Sequence, residues 1–183
     1  MGRERGVNEM DRKTAKLLSL MAEYNEGDPK QVQHSLKVHS FAAAIAAQEA
    51  LDAETADTLE AAALMHDVGI RKAREVYGSS AGPYQEEQGP PIAERLMNAC
   101  GGYTQRQIGR VMYLVGHHHT YDSIDGIDYQ ILVEADFLVN LFEQNESQDA
   151  VRSVRERIFR TEAGTRLLDT MFLTTYDRPP KKC

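Results

Sequence analysis

Apolar residues recur along this chain every three or four positions, the pattern of helices that each turn one face inward. Leu17, Leu18 and Met21, with Met10 and Thr14 before them, predict a first amphipathic helix over about 9–24. Residues 25–29 break it and start the next. Asp28 is suited to cap that helix, and Pro29 to its first position, where a missing N–H costs nothing. Val38, Phe41 and Ile45 then mark a buried face on a helix reaching about residue 51, and Leu59 and Ala62 do so on a third over about 54–66. Gly69 is expected to end that third helix. Residues 70–77 are basic and allow a helical turn or more. Residues 78–84 read as a loop by composition, 84–88 as its continuation, and Pro90-Pro91 as the start of a helix to Cys100. Four further helices are expected at about 105–116, 127–143, 147–160 and 162–173, the first with Ile108, Val111, Met112 and Val115 inward and the second with Leu132, Val139 and Phe142. No strand-like alternation, repeat or dividing linker appears. The expectation is an all-α single domain of about seven to nine helices over residues 9–176, with tails at 1–8 and 177–183.

Composition narrows the function. Among 183 residues, 21 Lys and Arg against 28 Asp and Glu leave a formal charge of −7, which disfavours a nucleic-acid surface and any stable complex with one. A small anionic substrate remains compatible, because a metal and a few local cations reverse the field inside a pocket. Cys100 and Cys183 stand too far apart in sequence to suggest a disulfide framework. Apolar runs are short, no signal-peptide core is apparent, and a cytoplasmic protein away from membranes is expected.

The chemistry begins at residues 61–70, where an apolar helical run ends in His66-Asp67. A carboxylate at the end of a buried segment must be paired, hydrogen-bonded or bound to a metal, and a neighbouring imidazole supplies a neutral nitrogen ligand. His34 precedes Val38 by four positions and so shares its inward face, whereas His39 lies about 140° away around the helix. Asp136 falls on or beside the buried face of its helix. Taken singly, His34 reads more readily as a core histidine than as a ligand, and Asp136 equally as a salt-bridge or capping residue. Together, four inward N and O groups on three helices form a set of metal-ligand types.

His34, His66-Asp67 and Asp136, in that order and in a helical chain, resemble the HD-domain superfamily of metal-dependent phosphohydrolases. The match spans about residues 30–145, and the apolar run before His66, the glycine two positions after Asp67 and the Ala-Asp step at Asp136 agree with it. The resemblance implies an HD-type helical bundle that binds one or two divalent ions (Mn, Fe, Mg, Ni or Zn). His34, His66, Asp67 and Asp136 would hold the first ion, and Asp67 would bridge to a second. For the second ion, His117 or His118 in the triplet His117-His118-His119 fits a later ligand position. The earlier position departs from the pattern: residues 84–93 contain no histidine, and Glu86 or Glu87 is the available replacement. The implied activity is hydrolysis of a small phosphorylated molecule, with a nucleotide the expected class. Asp67 or Glu87 as proton acceptor and His118 or His119 as proton donor are the candidates for proton transfer, and Lys37, Arg71 and Lys72, with Arg74, for phosphate contacts. A di-iron oxygenase of the same superfamily and a catalytically weak nucleotide-binding regulatory module are the competing implications; a homodimer is left open.

Overall fold

The computed structural model describes residues 12–174. The expected tails, the first three positions of the first helix and Cys183 lie outside the described residues. Every regular element among those residues is helical. α1 (Arg12–Tyr24), α2 (Pro29–Gln48) and α3 (Ala53–Met65) open the chain, followed by α4 (Gly69–Tyr77), α5 (Gly82–Cys100) and α6 (Gln105–Val115). A 3₁₀ turn at Tyr121–Ser123 precedes α7 (Ile127–Glu143), α8 (Gln148–Arg157) and α9 (Glu162–Leu168), and a π-helical turn (Asp169–Leu173) follows.

The starts of these helices are written in short polar side chains. Asp28 accepts a hydrogen bond from the Gln31 N–H at 3.0 Å with Pro29 behind it. Asp52 caps α3, Thr104 and Gln107 form a reciprocal capping box on α6, and Ser147 and Thr161 cap α8 and α9. Each satisfies amide groups that the first helical turn leaves without an intrahelical partner. The core lies between α2, α3, α6 and α7, where Val38, Ile45, Leu59, Ala62, Val111, Leu132 and Val139 are all buried. Phe41 sits half-buried on the rim of that core. Phe142 does not join it: the side chain is 68% exposed. Leu141 takes the inward direction in the last turn of α7, and the next residue, about 100° further round, faces out.

Two local expectations are corrected. Gly69 does not stop α3; it is the first residue of α4, and His66-Asp67 occupies the corner between the two helices. The glycine is required by packing: a Cβ there would stand 2.3 Å from the Gln85 carbonyl oxygen and 2.9 Å from the Gly89 nitrogen. Residues 84–88 are not a loop either. α5 begins at Gly82, with Pro83 in its first turn, and carries Pro90 and Pro91 in its interior. Two interior prolines forfeit ladder hydrogen bonds, but this helix is clamped by α4 on one side and α6 on the other. Gly89 permits that clamp, since a Cβ there would lie 2.5 Å from Val115. Tertiary packing overrides the local signal.

Candidate metal centre

α2, α3 and α7 pack on one another, and each delivers a ligand-type side chain to the same point. His34 comes from the second turn of α2, His66 and Asp67 from the corner after α3, and Asp136 from the middle of α7. His34 Nε2 lies 3.2 Å from His66 Nε2, 3.1 Å from Asp136 Oδ1 and 3.5 Å from Asp67 Oδ2. His66 Nε2 lies 3.4 Å from Asp67 Oδ2 and 3.6 Å from Asp136 Oδ1. His39, as its phase implied, is elsewhere, 3.0 Å from Glu60.

The hydrogen bonds on the far sides of the rings fix what this point is. His66 Nδ1 is 2.8 Å from the Ala63 carbonyl and His118 Nδ1 is 2.9 Å from the Val115 carbonyl. A carbonyl only accepts, so both Nδ1 atoms carry hydrogen and, in the neutral rings, both Nε2 atoms present lone pairs. His34 Nδ1 is likewise directed at the Glu143 carboxylate, 3.1 Å away. Lone pairs and carboxylate oxygens thus converge in a buried space, which is repulsive unless a proton or a cation stands between them. Without a cation, protons are drawn in. Burial pulls the pKa of His66 down, but Asp67 and Asp136 overcome it and hold it well above the ordinary value. His34 is raised by the same contest between burial and its carboxylate neighbours. Asp67 and Asp136 are held well below the usual carboxylate range, burial being outweighed by the imidazoles around them.

Asp67 divides its oxygens. Oδ2 faces His34 and His66 and accepts from Gln31 Nε2 at 3.0 Å, while Oδ1 faces His118 Nε2 at 3.5 Å. A second group of ligand atoms follows: Asp67, His118 and His119 lie within 4.8 Å of one another, as do His34, His66 and Asp67. The Nε2 atoms of both His118 and His119 are buried without a hydrogen-bond partner among the described residues. Burial, followed by the neighbouring His118, pushes the His119 pKa down to about 4. These orphaned nitrogens and the shared carboxylate fit divalent ions of the nitrogen- and oxygen-binding kind.

Several sequence candidates are placed differently. His117 leaves the cluster: its ring stacks on Tyr113 and bonds the Tyr113 carbonyl at 2.7 Å. The triplet follows the end of α6 in a turn, which directs His118 and His119 inward and His117 aside. Glu86 binds the turn instead of the cluster, accepting from the His119 N–H at 2.9 Å and the Thr120 hydroxyl at 3.2 Å. Glu87 is at the surface, bonded to the Tyr77 hydroxyl at 2.5 Å. Arg71 donates to the Tyr24 carbonyl and Lys72 pairs with Glu75, both exposed on α4. Lys37 is close to the site but engaged, 2.7 Å from Glu143. Sequence reasoning missed Glu143, which receives both Lys37 and His34; the i, i+3 spacing of His34 and Lys37 was the available signal. It preferred His117 or His118 to His119 as a ligand, although nothing in the triplet distinguishes the three.

No family model and no curated protein matches the sequence. The crystal structure of a predicted HD superfamily hydrolase from an uncultured Thermotogales bacterium does match in shape, with a TM-score of 0.63 over 87% of this chain and 84% of that one, at 21% identity. The chain has the HD-domain fold. That fold accounts for the arrangement found here, in which two packed helices and a helix corner aim at one point. No helix among the described residues is long and apolar enough to cross a membrane.

Proposed function

We propose that this HD-fold protein is a metal-dependent hydrolase of small phosphate esters, with nucleotides the expected class. The observation that carries the reading is the convergence of His34, His66, Asp67 and Asp136, with the second oxygen of Asp67 turned to His118. In this reading those four residues hold one divalent ion, and Asp67, His118 and His119 hold another. A bound ion of this kind polarises a phosphoryl oxygen and makes hydroxide accessible near neutral pH.

The chain's own groups supply the rest. In this reading Asp67 accepts a hydrogen bond from the attacking water and orients it. The water oxygen bonds to phosphorus, the ester P–O bond breaks, and the leaving oxygen takes a proton, giving inorganic phosphate and an alcohol. Tyr121 lines the same cleft as His119 and Asp136; burial pushes its pKa up to about 12, so it is an O–H donor at neutral pH. Glu143 and Lys37 stand behind His34 and hold its ring. A phosphatase and phosphodiesterase panel on protein of measured metal content, run in air and without oxygen, tests the assignment. Metal-dependent phosphate release in both atmospheres is the expected result; turnover that requires oxygen overturns it in favour of the oxygenase.

Glu143 carries a separate prediction. Outer carboxylates that fix a ligating imidazole typically contribute 10–100-fold to metal affinity. Glu143→Gln is therefore expected to weaken the ion held by His34 by roughly that factor, read by competition with a chelator, while the helical content is unchanged.

A further inference from the structure

A cleft of about 390 Å³ opens beside Asp136 and His119, walled by α7 on one side and α8 on the other. Asp136, Asn140 and Gln144, spaced by four, line its α7 side and are linked in sequence. Asn140 donates to Asp136 Oδ1 at 2.8 Å, and Gln144 donates to Asn140 Oδ1 at 3.3 Å. At 1.5 Å per residue this ladder runs roughly 12 Å from the ligand cluster, enough for a phosphate ester with a small polar body.

Arg157, the last residue of α8, is the one lysine or arginine among the described residues that line this cleft. Its neighbours are spoken for. Arg155 makes a two-pronged ion pair with Asp169, and Arg160 folds back on the carbonyls of Glu156, Phe159 and Arg157. The Arg157 side chain has one hydrogen bond among the described residues, from Nε to the Ser153 carbonyl at 3.3 Å, and no carboxylate within ion-pairing distance among them. Its position along the cleft is set by the chain just after it. Gln130 donates to the Ile158 carbonyl, and Glu134 accepts from the N–H groups of Arg160 and Thr161. These anchors lie on α7 just before Asp136, so Arg157 stands at the ligand-cluster end of the cleft, and Gln144 and Glu146 line the other end.

We infer that Arg157 grips the substrate's phosphate beside Asp136, the task the sequence had offered to Lys37, Arg71 and Lys72. The inference rests on the phosphohydrolase reading. A guanidinium contributes hydrogen bonds to charged oxygens whose loss costs on the order of ten- to hundredfold in binding.

The test uses full-length, metal-loaded protein. Arg157→Ala is expected to raise the KM for p-nitrophenyl phosphate and the inhibition constant of inorganic phosphate by about ten- to hundredfold, with metal content unchanged. Arg157→Lys should recover part of this, and Arg152→Ala, on the outer face of α8, should change neither. The loss should be the same with nucleoside 5′-monophosphates, because the phosphate is the shared group. Wild-type constants in Arg157→Ala, or a loss confined to the nucleotides, overturn the assignment of Arg157 alone. If calorimetry finds no binding of inorganic phosphate to the wild type and no ester is hydrolysed, the phosphohydrolase reading itself falls, and Arg157's role with it.

Discussion

Protein carrying His66→Ala is expected to purify with little bound metal and to lose more than about a hundredfold of any phosphatase activity, beyond what loss of an outer carboxylate would cost. His66 is more enclosed than His34 or Asp136, 1% exposed against 6% for each, and its Nε2 lies within 3.6 Å of His34, Asp67 and Asp136. Removing it also leaves two buried carboxylates facing one imidazole, so the remaining site binds a cation less well and protonates more readily. Metal analysis by mass spectrometry alongside far-ultraviolet circular dichroism separates loss of the ion from loss of the fold. Retention of full metal by His66→Ala, and by Asp136→Ala beside it, would show that the cluster is not a metal centre.

The second large effect is expected at a residue with no functional group. Gly69→Ala places a methyl group against the Gln85 carbonyl and the Gly89 amide, both backbone atoms that cannot rotate away. Overpacking of this kind costs about 1–3 kcal/mol or more. At the upper end that is a fall of roughly 6–12 °C in Tm for a chain of this size. Because Gly69 follows Asp67 by two residues, activity should fall further than stability alone explains. Gly109→Ala is the control: on α6, with nothing within 4 Å of its added methyl, it should be neutral or slightly stabilising through helix propensity. Equal melting temperatures for the two variants would contradict the packing argument.

These two positions also mark what was legible in the sequence. Helical spacing alone placed His34, Val38 and Ile45 on one face, and the structure has all three buried. Asp28-Pro29 announced a helix start because a cap needs only its own neighbours. Asp136 stood out because a carboxylate amid Leu132, Val139 and Ala135 demands a partner. The reading weakened wherever a long-range contact decides. Pro90-Pro91 signals a boundary locally, and only α4 and α6 together keep α5 continuous through it. Glu86 and Glu87 are adjacent and chemically identical, yet one braces the His119 turn and the other bonds Tyr77. Arg157 could not be singled out, since its significance lies in the pairing of Arg155 and the folding back of Arg160.

The two prolines inside α5 make that helix two units of unequal resistance. Neither Pro90 nor Pro91 can donate to the carbonyl four residues earlier, so the ladder is interrupted between the Glu86 half and the half that carries Met97 into the core. Residues 82–89 are therefore joined to residues 92–100 by packing on α4 and α6 rather than by an unbroken ladder, and are expected to open as a separate cooperative segment. Amide hydrogen exchange should find the first half exchanging well before the second. Since Glu86 braces the His119 turn from that half, the same opening would loosen His119, while His118 stays tied to the Val115 carbonyl and His34, His66 and Asp136 stay clamped by the core. Any ion that relied on His119 would then exchange with solvent faster than one held by the helices alone.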